Sequence, residues 1–367
     1  MIENEIRHIG TGGTVDSIWV PEMDTAAPAK TSTSAEYLDW MGGMGLEPIS
    51  HDILFLKDSR ETTLDDRDLL AAKIAEARSN RILATSGTFL MPDMAREARD
   101  HNMAQFYPKL GKRVVFAGAL IPLSGYEMPD GGFNLGMGVA LLKADSLPTE
   151  ETVLATMNGT VIPANQLRKD LTTATFAGVK GTDDLLGYSR FTLIPAGGTI
   201  DFQEDGLDGL EPSAESVVPE YLRDNVRIRK IFEASKPILK DSRALTAVDM
   251  DTTVDIIKAS TDEHVLVTSG LIRMGELRNH IKSALRGSDE ERKILLTGSR
   301  YILRRSGFTD APFNLGFALG NLDFVKPGVH AALSGKVLGP NQDPLNFAYT
   351  AKERRVLLAR HGYEDHI

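Results

Sequence analysis

The chain contains no cysteine. Disulfides, thiol nucleophiles and thiolate metal sites are excluded together. It also lacks a basic excess. Lys and Arg number 41 against 51 Asp and Glu, a net charge of −10. Nucleic acid and anionic membrane both need a basic footprint, so neither is expected as a partner. No apolar run approaches the length of a membrane span. The acidic start Met1-Ile2-Glu3-Asn4-Glu5 runs directly into a strand-like segment. A signal peptide is therefore not expected, and a cytoplasmic location is. Chemical signatures are missing too. The eight histidines form no H-E-x-x-H, and neither G-x-S-x-G nor G-x-x-x-x-G-K-[ST] occurs. The turn Gly10–Val15 lacks the third glycine of G-x-G-x-x-G, because Val15 stands there. No metal and no cofactor are expected.

What the chain does have, it has twice. Gly12-Gly13-Thr14-Val15-Asp16 returns as Gly197-Gly198-Thr199-Ile200-Asp201. Lys57-Asp58-Ser59-Arg60 returns as Lys240-Asp241-Ser242-Arg243, and Ala84-Thr85-Ser86-Gly87 as Val267-Thr268-Ser269-Gly270. Asp130-Gly131-Gly132-Phe133-Asn134-Leu135-Gly136 returns as Asp310-Ala311-Pro312-Phe313-Asn314-Leu315-Gly316. Four collinear matches at a nearly constant offset of about 180 to 185 residues indicate a tandem duplication of a whole domain. With 367 residues the chain suits two domains, and so long a period is no solenoid. The expected division is 1–185 and 186–367, with the join near Val179–Ser189.

Within each copy, short apolar runs alternate with helix-like stretches. Strands are expected at Glu5–Ile9, Asp52–Leu56, Arg81–Ala84, Arg113–Ala117 and Thr152–Met157, with helices at Leu64–Ala77 and Asn134–Ala144. In the second copy the expected strands are Thr192–Ile194, His264–Thr268, Lys293–Leu296 and Val329–Leu333. Its expected helices are Thr252–Lys258, Gly275–Ala284 and Asn314–Gly320. Such alternation implies an α/β fold with a mostly parallel sheet. Asn134 and Asn314 read as N-caps. Asp16–Ser34 and Asp201–Pro219 read as long loops or lids.

In open parallel sheets, ligands bind beyond the carboxyl ends of the strands. The Gly-Gly-Thr, Asp-Ser-Arg and Thr-Ser-Gly motifs each follow a strand, which directs Thr14, Ser59 and Thr88 to one crevice. A threonine hydroxyl is a nucleophile only with a base in reach. Lys169 can serve if burial or the adjacent Arg168 lowers its pKa. By itself, a lysine in a polar loop reads as a solvated charge.

These residues carry a resemblance. The first copy, roughly residues 5–180, resembles the amino-terminal domain of bacterial-type L-asparaginases and their glutaminase relatives. Thr11-Gly12-Gly13-Thr14-Val15 matches that family's Thr-Gly-Gly-Thr-Ile/Val. Ser86-Gly87-Thr88-Phe89 aligns with its His-Gly-Thr-Asp. Ala117-Gly118-Ala119 and Asp130–Leu135 match its Thr-Gly-Ala…Asp-Gly-x-x-Asn-Leu stretch. Asn158-Gly159…Asn165…Lys169…Thr172-Thr173 matches its last segment. The resemblance implies two Rossmann-like asparaginase domains in tandem. It makes Thr14 the nucleophile, Thr88 and Lys169 a proton-transfer pair, and Ser59 the holder of a substrate carboxylate. Gly13, Gly87, Phe89 and Ala119 would line the same crevice, and Arg60 would complete an anion clamp with Ser59. The implied reaction is hydrolysis of a small carboxamide, lactam or imide through an acyl-threonine.

The departures point away from free asparagine. Phe89 stands where the family's aspartate meets the substrate's α-ammonium. Ser86 replaces the preceding histidine. Arg60 stands where the family often has Gln. Val20–Lys30 contains no tyrosine of the kind the family carries in its flexible loop. In the second copy Thr199 and Ser242 remain, but Leu271 stands at the place of Thr88. No lysine occurs in Asn341–Leu345. That copy is expected to be inert. A catalytically dead small-molecule binding or regulatory protein, with an amino-acid-like ligand, is the rival reading. A homodimer or higher homo-oligomer is a further expectation, and so is an internal pseudo-dimer that makes one unnecessary.

Overall fold

A computed structural model describes residues 5–23, 25–105, 112–147, 149–172, 175–178, 185–186, 190–202, 205–206, 209–210, 215–228, 231–233, 238–240, 244–287, 291–305, 307–339 and 341–360. The first half contains strands β1 (Ile6–Gly12), β2 (Ser17–Val20), β3 (Thr25–Pro28), β4 (Ser50–Lys57), β5 (Arg81–Thr85), β6 (Arg113–Ala117), β7 (Val153–Met157), β8 (Thr160–Pro163), β9 (Leu167–Asp170) and β10 (Thr175–Gly178). Its helices are α1 (Thr33–Gly42), α2 (Leu64–Glu76), α3 (Met91–Gln105) and α4 (Gly131–Lys143). The second half contains β11 (Phe191–Pro195), β12 (Asp205–Gly206), β13 (Gly209–Leu210), β14 (Ile231–Glu233), β15 (His264–Thr268), β16 (Lys293–Thr297), β17 (Gly328–Leu333) and β18 (Lys336–Leu338). Its helices are α5 (Val217–Glu220), α6 (Ala247–Ala259), α7 (Met274–Ala284), α8 (Ala311–Leu322), α9 (Pro344–Ala348) and α10 (Ala351–Arg360).

The two main sheets have the same topology. One runs β4-β1-β5-β6-β7-β8, the other β14-β11-β15-β16-β17-β18. All neighbours are parallel except the final hairpins β7–β8 and β17–β18. Central strands such as β6 and β15 are buried along nearly their whole length, which is why they read as continuous apolar runs rather than alternating ones. The helices start on matching signals. Thr63 and Asp66 form a capping box for α2, and Thr246 and Asp249 do so for α6.

Two expectations change here. Asp16–Ser34, expected as a long loop or lid, contains the antiparallel hairpin β2–β3, with Ser17 opposite Pro28 and Val20 opposite Thr25. Asn134 and Asn314 are not N-caps. Asp130 and Asp310 precede the two helices, and each asparagine lies one turn in. Asn134 Nδ2 donates to Gly118 O and to Asp130. Asn314 Nδ2 donates to Gly298 O and to Asp310. Each amide thus ties its helix to the loop after the fourth strand of its sheet. Most of the expected join, and Asp241-Ser242-Arg243, lie outside the described residues. Asp201–Pro219 is described only in part, including β12, β13 and the start of α5.

Helices α2 and α3 cover the outer face of the first sheet, and α6 and α7 that of the second. The inner faces share one core, to which Leu38, Phe133 and Leu135 contribute from one half and Tyr221, Phe313 and Phe317 from the other. Each such side chain contributes about 1.5 to 3 kcal/mol by leaving water. At its centre α4 and α8 cross with backbones touching. A Cβ on Gly136 would lie 2.1 Å from Phe313 O, and one on Gly316 would lie 1.9 Å from Phe133 O. The contact is reciprocal, as in a two-fold dimer. The tyrosines repeat that reciprocity. Tyr37 Oη donates to Thr309 O at 2.9 Å, and Tyr221 Oη donates to Pro129 O at 2.9 Å.

Gly136→Val is expected to lose about 3 kcal/mol or more, since a backbone carbonyl cannot give way as a side chain can. Exposed Gly42→Ala, whose Cβ meets nothing within 4 Å, should be neutral or stabilising by up to about 1 kcal/mol. Urea unfolding of both variants checks the contrast.

Candidate active site

The strand order of the first sheet places a topological switch point at β1, flanked by β4 and β5. Three loops leave the carboxyl ends of these strands. The first is the turn Gly12–Asp16. Gly13 has φ 83, and Thr14 to Asp16 form one 3₁₀ turn. Gly13 N donates to Lys57 O at 2.9 Å, and Asp16 N donates to Gly13 O at 3.0 Å. A Cβ on Gly13 would fall 2.1 Å from Gly87 Cα. Only glycine allows both that dihedral and that approach. The turn that carries Thr14 therefore lies directly on the loop that carries Thr88. Ser59 closes the third side. A Cβ on Gly87 would meet Ser59 Cβ at 2.4 Å, and Phe89 N donates to Ser59 Oγ at 3.2 Å.

Lys169 reaches this cluster from the β9–β10 hairpin, 81 positions along the chain from Thr88. Its Nζ lies 2.8 Å from Thr88 Oγ1 and 5.8 Å from the centre of the Phe176 ring, its cross-strand partner. Burial pushes the ammonium below its usual range, and the charge of Arg227 adds to the effect. Thr88 is buried, and Thr14 is partly buried. Arg60 is not turned toward the cluster. Its guanidinium bonds Asp58 at 3.0 and 2.8 Å, and its side chain is 73% exposed. Phe89 is 44% exposed. Ala119 is fully buried, packed near Gly131. Asp130 fixes its loop by accepting from Leu120 N and Ile121 N at 2.8 to 3.0 Å.

One contribution to the site was not evident from the sequence. Arg227 belongs to the second half, in a segment docked on the first. Asn158 Nδ2 donates to Val226 O at 3.4 Å, Asn225 Nδ2 donates to Met128 O at 3.0 Å, and Ile228 packs on Gly159. Arg227 itself has a positive φ of 65, the mark of a constrained residue. The rings of Trp19 and Tyr126 meet edge-on at 5.1 Å where the β2–β3 hairpin docks on Ser124. No sequence spacing links 19 to 126, or 169 to 227.

Residues 5–183 match the family model described as Asparaginase, N-terminal. Residues 5–183 are an asparaginase N-terminal domain. L-asparaginase I from Vibrio cholerae shares 18% identity over 80% of this chain and 81% of its own, with a TM-score of 0.37. A probable cytoplasmic L-asparaginase from Campylobacter jejuni shares 19% over 87% and 94%, with a TM-score of 0.41. The thermostable L-asparaginase from Thermococcus kodakarensis shares 15% over 89% and 88%, with a TM-score of 0.34. No curated protein matches. Among the described residues no helix is long and apolar enough to cross a membrane, and no group of three His, Asp or Glu could hold a metal.

The second repeat keeps the Gly-Gly-Thr turn but not the threonine of the neighbouring loop. Gly198 has φ 92, and its Cβ would lie 2.2 Å from Gly270 Cα. Leu271, at the place of Thr88, is buried in the outer core. Beneath the turn, Asp201 is fully buried, and burial raises it from an ordinary 3.8 to about 7. The folded chain thus holds a proton that the unfolded chain releases. This contribution is present at low pH and is lost as pH rises through 7. Asp201→Asn is expected to remove about 1 kcal/mol of the stability change between pH 6 and pH 8. Calorimetric melting at both pH values checks the sign.

Proposed function

We propose that this protein is an amidohydrolase that cleaves a small carboxamide through an acyl-Thr14 intermediate. The observation that carries the reading is the 2.8 Å contact between Lys169 Nζ and Thr88 Oγ1, on the loop that touches the Thr14 turn. In this reading neutral Lys169 takes the Thr88 proton as Thr88 takes the Thr14 proton. Thr14 Oγ1 attacks the carbonyl carbon, and backbone N–H groups of the crevice stabilise the oxyanion, worth about 3 kcal/mol per donor. The proton returns to the nitrogen, the C–N bond breaks and ammonia leaves. Water then hydrolyses the ester by the same route. Burial and Arg227 favour the neutral amine that the mechanism needs.

The substrate is a carboxamide without a free α-ammonium near Phe89. A phenyl ring offers an ammonium only a weak cation–π face in place of a charge-assisted acceptor. The second repeat supplies Arg227 and structure rather than a second active site. The division into 1–185 and 186–367, the cytoplasmic location and the absence of a cofactor belong to the same reading. An inactive binding protein is the rival, favoured by Phe89.

Ammonia release over a panel of amides, lactams and imides should depend on Thr14. Thr14→Ala and Lys169→Met are each expected to lose at least a hundredfold in kcat/KM. Equal rates in wild type and Thr14→Ala overturn the nucleophile. Phe89→Asp restores an acceptor for an ammonium, and should raise kcat/KM for asparagine relative to its desamino analogue by about tenfold or more. An unchanged ratio shows that Phe89 does not set specificity.

A further inference from the structure

Beneath the two Gly-Gly-Thr turns the repeats differ in a place that the proposed chemistry does not use. In the second repeat Thr268 Oγ1 lies 2.9 Å from Asp201 Oδ1 and 2.8 Å from Oδ2, and donates its proton to that carboxyl. Its counterpart Thr85 does not serve Asp16 in this way. Thr85 Oγ1 lies 2.8 Å from His8 Nε2, and Asp16 Oδ2 is buried with no hydrogen-bond partner. The residue that makes the difference is His8, fully buried on β1. At the same distance ahead of Asp201 the second repeat has Leu193.

His8 is one link in a longer chain. Its Nδ1 lies 3.0 Å from His51 Nδ1 on β4. His51 Nε2 lies 3.1 Å from Asp39 Oδ1 on α1, a side chain 71% exposed. Toward the site, Ser34 Oγ donates to Asp16 Oδ1 at 2.7 Å and lies 3.4 Å from both Thr85 Oγ1 and His8 Nε2. The series Asp16, Ser34, Thr85, His8, His51, Asp39 therefore connects the floor of the Thr14 turn with solvent. Of the other charges on these strands, Arg7 and Asp52 pair with each other at 2.5 Å, with Lys73 at 3.7 Å from Asp52, and Lys57 at the end of β4 pairs with Asp66 at 2.8 Å; Arg7 and Asp52 are the two next to the histidines. They alternate with His8 and His51 along β1 and β4 and so lie on the opposite face. Burial, and then His51, hold His8 down to about 3, so it stays neutral. A neutral imidazole passes a proton by exchanging tautomers, which leaves no charge in the core. Burial also raises the Asp16 carboxyl.

We propose that His8 is a positioning residue of this site: it withholds the Thr85 hydroxyl from Asp16, keeps that carboxyl able to take up a proton, and with His51 gives the proton a route to the surface at Asp39. The consequence for turnover rests on the proposed function, whereas the hydrogen-bond exchange itself does not. The route balances. Protonated Asp16 passes its proton to Ser34 Oγ, Ser34 passes its own to Thr85, and Thr85 passes its own to His8 Nε2. His8 Nδ1–H goes to His51 Nδ1, and His51 Nε2–H goes to Asp39. One proton has moved from Asp16 to Asp39, and both imidazoles have changed tautomer. Asp16 matters to the nucleophile because its own N–H donates to Gly13 O. Its carboxylate also accepts from Ser32 Oγ, Ser34 N and Ser34 Oγ at 2.7 to 2.8 Å, which ties the turn to the start of α1.

The test is a carbon-13 carboxyl NMR titration of Asp16 in the full chain. His8→Leu copies the second repeat and frees Thr85 for Asp16, so the midpoint should fall by at least threefold in proton affinity. His8→Leu/Thr85→Val should restore the wild-type midpoint, and Thr268→Val should leave it unchanged. His51→Phe should keep the midpoint but slow proton exchange, so that the Asp16 signal broadens or splits in mid-titration. In turnover, the limb of the kcat/KM pH profile that follows Asp16 should move with it in His8→Leu and return in the double variant. An unmoved midpoint in His8→Leu, or no return in the double variant, overturns the positioning role. A sharp signal in His51→Phe overturns the route. If no amide is turned over, the proposed function fails while the titration still decides His8.

Discussion

Everything in this molecule hangs on two peptide groups meeting where α4 crosses α8. Gly136 admits the Phe313 carbonyl and Gly316 admits that of Phe133. Because the contact is backbone on backbone, it fixes the distance and angle between two complete sheets with almost no freedom. The consequences spread outward from the crossing. Asp130 and Asp310, at the starts of the same helices, each gather the loop after the fourth strand of their sheet. Tyr37 and Tyr221 then bond across the seam at the residues just before those caps. The segment that follows Tyr221 is thereby laid on Asn158 and Gly159, and Arg227 is brought into the surroundings of Lys169.

The repeats act as controls for one another. Both keep the left-handed glycines and the buried aspartate under the turn, so these features serve the architecture wherever it occurs. Among the described residues, only the first has a hydroxyl and an amine in contact beside the turn. Where Thr88 has become Leu271, the position joins an apolar cluster, which removes the cost of burying a polar group without a partner.

The sequence carried the architecture well, because repeated motifs and apolar runs are local signals. Arg113–Ala117 and His264–Thr268 form strands with the expected bounds. The crevice was legible in outline because Gly-Gly-Thr and Thr-Ser-Gly each follow a strand. What was illegible depends on partners far away in the chain. Asn134 looks like a cap until Asp130 and Gly118 are beside it. Asp16–Ser34 reads as a loop because half of its hairpin is Thr-Ala-Ala-Pro, with no alternating pattern to mark a strand. Arg60 looks free to bind an anion until Asp58, two residues away, folds back on it. A single histidine in an apolar run, such as His8, carries no spacing that would reveal its partners.

The reciprocal tyrosines have a consequence for how such a protein changes over time. In a dimer of identical chains every substitution is made twice, so a residue that helps at one surface must be tolerated at its mirror image. Here Tyr37 and Tyr221 keep the two-fold arrangement, while the residues around it are free to differ. With both halves in one chain, each half can be altered alone. One side can fill its crevice with leucine and reach across with an arginine, while the other keeps the lysine that this arginine faces.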